Sequence, residues 1–220
     1  MSGTFAPCLD ILPSPQRRLW SELATLPPQF TLYGGTAIAL RLGHRASVDF
    51  DFFGSIALDP NQLLSELDFL DGAQVLDIQP GSLTVTVDRD GPVKLSFFGV
   101  PKLGRVREPA CADDIGLAVA DLLDLGATKV SVVQRRAEAK DYIDVDALLL
   151  AGLPLPDILA AADAIYGPAF SAQSALKALA YFDDDTLAGL TPELQARLRR
   201  AVREVNLDQL PAVPPLRGKT

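Results

Sequence analysis

The sequence predicts an α+β fold in which a strand-rich half, residues 1–120, precedes a helical half, residues 121–210. Segments with the two-residue alternation of strands occur only in the first half, whereas the second half repeats its apolar residues at helical spacing. Strands grouped before helices are typical of α+β proteins, because α/β proteins alternate the two. With 220 residues, 48% of them hydrophobic, the chain can bury a substantial core.

The strand-rich half also contains predicted helices. Apolar spacing predicts a helix over residues 10–26, which Pro27 and Pro28 end, and a second over residues 36–42 after a glycine turn. Residues 60–70 form a third, with Asp59 as its expected N-cap. The alternating segments predict strands over residues 30–33, 48–53, 74–78, 83–88, 93–98 and 115–120.

The helical half reads as five consecutive helices with short connections. The Pro-rich segment that follows, residues 211–220, is expected to be a flexible tail. The predicted helices cover residues 121–136, 141–151, 156–166, 171–181 and 192–205.

Composition and charge narrow the functional classes. The net charge of −8 argues against non-specific coating of nucleic acid, although local basic patches remain compatible with it. Cys8, Cys111 and a single histidine do not make a structural zinc site, and reduced thiols favour a cytoplasmic location. The N-terminal residues lack the pattern of a signal peptide, and we expect no membrane span.

Two glycines stand where a strand is predicted to turn into a helix. Gly34 and Gly35 follow the predicted strand over residues 30–33. Glycine lets the backbone approach a ligand closely, and the N–H groups at a helix start suit an anion such as a triphosphate. We therefore expect a phosphate cradle at this turn.

A pair of carboxylates follows on the next predicted strand. Asp49 and Asp51 are two residues apart, so their side chains share one face, while Phe50, Phe52 and Phe53 are expected to face the core. Two adjacent carboxylates attract a hard cation, and Mg²⁺ commonly shares such ligands with substrate phosphates. Either motif alone is common on a solvated surface, but in this order they favour metal-assisted nucleotidyl transfer.

The segment GGTAIALRLGHRASVDFDFF resembles the motif of polymerase-β-like nucleotidyltransferases, with thirteen residues between Gly35 and Asp49. More narrowly, it resembles the AbiEii/AbiGii-type nucleotidyltransferase toxins of type IV toxin–antitoxin and abortive-infection systems. Two later segments, DLGATKVSVVQRRAEAKDYIDVDALL and ALKALAYFDDD, are similar to further stretches of that family. The resemblance implies a nucleotidyltransferase-type mixed sheet flanked by helices, with the helical half contributing to the site.

The resemblance also implies roles for individual residues. Lys129 would contact nucleotide phosphates, and Asp144 would be the more important acid of the pair that follows it, since Asp141 is better explained as a helix cap. The phosphates would be held by Gly34, Gly35 and Thr36, the metal, Mg²⁺ or Mn²⁺, by Asp49 and Asp51, and the family's R-x-S pattern is matched by Arg45 and Ser47.

One position departs from the superfamily pattern. Many members carry a third catalytic carboxylate on a following strand, which here corresponds to residues 93–98 and has Ser96 at its middle polar position. A serine hydroxyl cannot replace a carboxylate as general base. Either Asp144 or another acid takes that role, the metal alone activates the acceptor, or catalysis is weak.

The resemblance implies a nucleoside triphosphate as substrate, RNA as a possible acceptor, for example the 3′ end of tRNA, and an antitoxin protein as partner. Two alternatives stay open. Ser96 favours a nucleotide-binding regulatory module with little chemistry. The acidic charge favours an enzyme that modifies a hydroxyl of a small cationic molecule.

Overall fold

The computed structural model describes residues 3–216, which form a mixed eight-stranded sheet and a set of helices. The chain divides into two compact units, Met1–Leu103 with Glu108–Ala120, and Gly104–Arg107 with Asp121–Thr220. The first unit contains the sheet and the second contains the C-terminal helices. The predicted α+β class is confirmed.

The sheet of the first unit has the strand order β1-β7-β8-β2-β3-β6-β5-β4. The pairs β1–β7, β2–β8 and β3–β6 are parallel, and the remaining neighbours are antiparallel. The strands are β1 (Thr4–Phe5), β2 (Phe30–Tyr33), β3 (Asp49–Gly54), β4 (Gln74–Gln79), β5 (Ser82–Asp88), β6 (Pro92–Gly99), β7 (Ala110–Ala112) and β8 (Ala118–Val119).

Three helices of this unit lie beside the sheet: α1 (Ser14–Trp20), α2 (Gly34–Leu42) and α3 (Pro60–Glu66). Asp59 caps α3 as predicted, because its carboxylate accepts hydrogen bonds from the backbone N–H groups of Asn61 and Gln62. The helix predicted over residues 10–26 is shorter than expected. It starts only after Pro13, and a 3₁₀ turn, Ser21–Thr25, replaces its last part.

Aromatic side chains fill the core on one face of the sheet. Phe50 and Phe52 are fully buried, and Phe52 stacks on Phe97 of β6 with ring centroids 5.3 Å apart. Phe53 was also expected to face the core, but strand alternation places it on the opposite face, half-buried beside Phe98 at 4.9 Å. The face opposite the aromatic core therefore carries Asp49 and Asp51 together with this half-buried aromatic pair.

The second unit is a helical domain. A close approach between α4 and α6 is possible because Gly126 carries no side chain; a β-carbon there would lie 3.1 Å from Ile158. The helices are α4 (Leu122–Val133), α5 (Ala139–Leu150), α6 (Leu155–Tyr166), α7 (Ala172–Ala180) and α8 (Pro192–Glu204). Asp121, whose carboxylate accepts from the Leu123 N–H group, caps α4.

The short strands and the C-terminal segment differ from what the sequence predicts. The strand expected over residues 115–120 is reduced to β8, and β1 and β7 were not predicted at all. The predicted flexible tail, residues 211–220, extends beyond the described residues; residues 211–216 have no regular secondary structure, and the Leu216 N–H group bonds to the Arg105 carbonyl.

Among residues 3–216, no single helix is long and apolar enough to cross a membrane. One sharply bent pair, Ala139–Leu150 with Leu155–Ala169, meets that test on length and composition.

Candidate active site

The two glycines form the first turn of α2 and not a separate turn before it. Tyr33 ends β2 in an extended conformation, and Gly34 then adopts φ +75° as the chain enters the helix. The first N–H groups of a helix have no partner within it and point along its axis. This end of α2 therefore offers backbone donors for an anion, as the sequence predicts.

The central strand β3 carries both predicted carboxylates. Asp49 and Asp51 alternate with the buried Phe50 and Phe52, so both acids lie on the face away from the aromatic core. The Asp51 carboxylate reaches the glycine turn: a β-carbon on Gly34 would lie 2.6 Å from Asp51 Oδ2. The structure thus brings the glycine pair and one carboxylate into direct contact.

Two buried hydroxyls fix the start of β3. The Thr36 hydroxyl donates to the Asp49 carbonyl oxygen and lies 2.7 Å from the Ser47 hydroxyl. Both side chains are buried. Their hydroxyls are therefore used within the protein to position Asp49, so any contact of Thr36 with a phosphate would have to come from its backbone N–H group.

Arg45 lies in the loop between α2 and β3. Its guanidinium is partly exposed and donates to the Ala46 carbonyl at 3.0 Å. The R-x-S pattern thus combines a loop arginine with a buried serine, Ser47, that supports the strand.

The strand β6 faces the carboxylates from the side, as the sequence predicts. Ser96 is the register partner of Asp51, and Lys94 is the register partner of Asp49. The Lys94 ammonium lies 4.0 Å from Asp49 Oδ2, with 47% of the lysine side chain and 41% of the aspartate side chain exposed. Sequence reasoning missed Lys94, because its position depends on the parallel pairing of two strands that are distant in sequence.

The donor set fits a divalent cation that shares its ligands with substrate. Within residues 3–216 there is no group of three or more His, Cys, Asp and Glu side chains placed to hold a metal by themselves. Asp49 and Asp51 supply two carboxylates on one face, and Mg²⁺ is often bound by one or two carboxylates together with substrate phosphates.

In the second unit, Lys129 is buried between two carboxylates. Its ammonium lies 2.7 Å from Asp141 Oδ1 and 2.6 Å from Asp144 Oδ2. All three side chains are at least nine-tenths buried, and the partly exposed Arg136 contacts Asp141 from the other side at 3.2 Å. The predicted motif K…D-x-x-D therefore forms one buried ionic cluster.

This cluster corrects one prediction. Asp141 was expected to cap a helix, but it lies inside the first turn of α5, whose N-cap residue is Glu138 and has no capping side-chain bond. The Asp141 carboxylate pairs with Lys129 and Arg136 instead, because a buried carboxylate needs cationic partners.

A third buried acid, Asp124 on α4, was not predicted. Its carboxylate accepts the backbone N–H groups of Val106 at 2.7 Å and Arg107 at 3.0 Å, which anchors this short segment to the helical domain. Burial raises the pKa of Asp124 to about 6, although these two hydrogen bonds oppose the rise.

One curated protein matches part of the chain in sequence. The uncharacterized protein aq_aa25 of Aquifex aeolicus (strain VF5) is 30% identical over 118 residues, which are 53% of this chain and 55% of that protein. The chain thus spans about half the length of this curated relative.

Two solved structures share the fold at low sequence identity. The nucleotidyltransferase toxin MenT4 of Mycobacterium tuberculosis H37Rv superposes with a TM-score of 0.58 at 17% identity, over 87% of this chain and 82% of that one. An antigenic nucleotidyltransferase-like protein from Paracoccidioides brasiliensis gives a TM-score of 0.50 at 14% identity, over 88% and 94% of the two chains.

The family profile covers most of the chain. The family described as "Nucleotidyl transferase AbiEii toxin, Type IV TA system" matches residues 18–214, which include the glycine pair, both strand carboxylates and the buried lysine cluster. The chain therefore belongs to the AbiEii nucleotidyltransferase toxin family.

Proposed function

We propose that this protein transfers a nucleotidyl group from a nucleoside triphosphate to an acceptor, with Mg²⁺ or Mn²⁺ as cofactor. The observation that carries the proposal is the closeness of Asp51 to Gly34, since a β-carbon on Gly34 would lie 2.6 Å from Asp51 Oδ2. A carboxylate therefore stands beside the first backbone N–H groups of α2, which are donors suited to an anion. Family membership supports the same reaction.

Each group has a defined part in this proposal. The backbone N–H groups of Gly34, Gly35 and Thr36 bind triphosphate oxygens, while the Thr36 and Ser47 hydroxyls keep Asp49 in place. Asp49 and Asp51 would hold the metal, and the metal would supply charge neutralisation at the phosphates. The protein contributes chiefly positioning and electrostatic stabilisation, as expected for phosphoryl transfer.

The family resemblance supports roles for three further residues. We propose, from the family resemblance, that Lys129 contacts nucleotide phosphates, that Arg45 assists, and that Asp144 is the acid on which activity depends. Buried carboxylates on both sides of Lys129, at 2.7 Å and 2.6 Å, hold its ammonium in one position. Ser96 on β6 cannot accept the proton of an attacking hydroxyl as a carboxylate would.

The acceptor that we propose is RNA, with the 3′ end of tRNA as the first candidate, and the output is growth arrest in the cytoplasm that an antitoxin protein neutralises. The type IV toxin–antitoxin family supports this proposal. An alternative is a nucleotide-binding module without transfer, which Ser96 at the position of the third acid favours.

The test is incubation of the protein with each α-phosphate-labelled nucleoside triphosphate, Mg²⁺ or Mn²⁺ and total RNA, followed by gel electrophoresis. We expect label in a discrete RNA band with the wild type, and a loss of roughly a hundredfold or more in D49N and in D51N. D77N, which changes an exposed acid on β4, is the matched control.

In another outcome, the protein binds nucleotide while label enters neither RNA nor a small-molecule acceptor that is added separately. That result supports the regulatory module. Full activity of D49N or D51N contradicts the assignment of the site.

A further inference from the structure

We infer that Lys94 of β6 is a triphosphate-binding residue of this site, and that its ammonium balances Asp49 until a metal ion takes its place. This inference rests on the proposed function, because it assigns a ligand to the same site. Within the nucleotide-bound protein, Lys94 would turn from Asp49 to the phosphate oxygens.

Register places Lys94 at the site. In the parallel pair β3–β6, Lys94 stands opposite Asp49 and Ser96 stands opposite Asp51. Residues directly opposite in neighbouring strands project on the same side of the sheet, about 5 Å apart. The observed 4.0 Å between Lys94 Nζ and Asp49 Oδ2 agrees with that geometry.

The nearest strand neighbours of Lys94 on this face, Asp49, Ser96 and Thr86, are polar. On this face, β5 pairs Thr86 with Lys94 and Thr84 with Ser96, so three side chains with hydroxyl groups occupy strand positions around Lys94. Lys94 is the one cationic side chain among the strand residues described on this face of β3, β5 and β6. Hydroxyls and an ammonium beside two carboxylates form a surface suited to a metal-bound polyphosphate.

The Lys94–Asp49 ion pair is too weak to contribute much to the stability of the folded protein. Nearly half of each side chain is exposed, and the 4.0 Å separation exceeds hydrogen-bond distance. Exposed pairs of this kind contribute about 0–1 kcal/mol. Lys94 can therefore leave Asp49 at little cost, and its four-carbon stem lets the ammonium move by several ångströms.

Removing the charge should have opposite effects on the two ligands. In Lys94→Gln, a metal ion no longer competes with the ammonium for Asp49, so Mn²⁺ alone should bind about threefold to tenfold more tightly. Tripolyphosphate loses a charged partner, so at saturating Mn²⁺ it should bind about tenfold more weakly.

The experiment is calorimetric titration of wild type and variants, first with Mn²⁺ alone and then with sodium tripolyphosphate at saturating Mn²⁺. Tripolyphosphate removes any dependence on the preferred base. Lys94→Arg keeps the charge and should keep the wild-type tripolyphosphate affinity within about twofold. Lys102→Gln removes an exposed lysine in the loop after β6 and should change neither affinity.

A Lys94→Gln variant that melts like the wild type and changes neither affinity, or changes both in the same direction, overturns the inference. The same holds if only one of the two affinities changes. Such results leave the proposed function intact when the wild type still labels RNA. A wild type that binds neither Mn²⁺ nor tripolyphosphate instead refutes the proposed function.

Discussion

The Asp51 carboxylate occupies the space that a side chain on Gly34 would need. A β-carbon built on Gly34 would lie 2.6 Å from Asp51 Oδ2, well inside the contact distance of two non-bonded atoms. Gly34 also has φ +75°, a conformation that residues with a β-carbon adopt only at a cost. Two separate constraints thus favour glycine at position 34: the positive φ of the backbone and the closeness of the Asp51 carboxylate.

We predict that Gly34→Ala abolishes nucleotidyl transfer, because the added methyl group displaces the Asp51 carboxylate. Gly72→Ala is the matched control, since Gly72 has φ +72° with no heavy atom within 4 Å of the β-carbon position. Both variants should lose about 1–2 kcal/mol of stability from the left-handed backbone, but only Gly34→Ala should lose activity and metal binding. Equal activity of the two variants would show that Asp51 tolerates displacement.

Thr36→Val tests whether the buried Thr36 hydroxyl stabilises the start of β3. The variant leaves the Asp49 carbonyl and the Ser47 hydroxyl without their partner, so unfolding should become easier by about 1–3 kcal/mol. Thr25→Val removes a hydroxyl that donates to the Glu22 carbonyl on the surface, and it should cost less than about 0.5 kcal/mol. Chemical denaturation of both variants measures the difference, and equal values would contradict the proposed support of Asp49.

Parts of this arrangement are visible in the sequence because they depend on local pattern. The alternation in residues 48–53 predicts β3, observed as Asp49–Gly54, and the shared face of its acids, and Asp59 predicts the start of α3. The position of Lys94, in contrast, depends on tertiary structure. Nothing near Lys94 in the chain indicates that β6 pairs in parallel with β3, because a pairing register is set by tertiary contacts.

The missed strands have a similar cause. β1 and β7 contain two and three residues, too few for any alternation to be recognised, and they pair with each other over a long sequence separation. The burial of Lys129 also escapes sequence reasoning, since a lysine in mid-helix is usually exposed. Only the family resemblance pointed to Lys129, and the structure supplies the physical reason, namely two carboxylates that neutralise it.

We predict that Lys129→Met destabilises the protein strongly, because it leaves two buried carboxylates without their shared cation. Breaking a buried ion pair in this way costs about 3–5 kcal/mol, and for a chain of this size should lower the melting temperature by roughly 10 °C. A loss of nucleotidyl transfer in this variant would therefore reflect the lower stability of the protein as well as any loss of phosphate binding.

Lys140→Met is the control, since Lys140 is half-exposed on α5 and its ammonium forms an ion pair with Glu138 at 3.1 Å. Its melting temperature should fall by no more than about 2 °C. If Lys129→Met melts no lower than Lys140→Met, the ionic cluster does not stabilise the helical domain.

Asp124 should make stability depend on pH. Its pKa is raised to about 6 in the folded protein, above the ordinary value of 3.8, so the folded state binds the proton more tightly than the unfolded state does. The associated stabilisation is present at low pH and is lost as the pH rises through about 6, by at most about 3 kcal/mol. Melting curves of the wild type and Asp124→Asn should therefore differ more in favour of the wild type at pH 4.5 than at pH 7. A difference that stays constant over this range would show that the Asp124 pKa is not raised.

Ser96→Asp places a third carboxylate on the face that carries Asp49 and Asp51. Ser96 is buried and is the register partner of Asp51, so the new charge would stand about 5 Å from an existing one. Without metal, the crowded acids should repel each other and lower the melting temperature. With Mg²⁺ present, the additional oxygen ligand should strengthen metal binding, and the melting temperature should recover or exceed that of the wild type.

Thr84→Asp provides the matched control for this prediction, because Thr84 pairs with Ser96 on β5 and lies one strand farther from Asp51. Its carboxylate should lower the melting temperature slightly, and the addition of Mg²⁺ should leave that change nearly as it was, since strand spacing puts the group about 10 Å from Asp51. The decisive quantity is the shift in melting temperature on adding Mg²⁺, compared among wild type, Ser96→Asp and Thr84→Asp. If that shift is no larger in Ser96→Asp than in the other two proteins, Asp49 and Asp51 do not form a metal site that a carboxylate at position 96 can join.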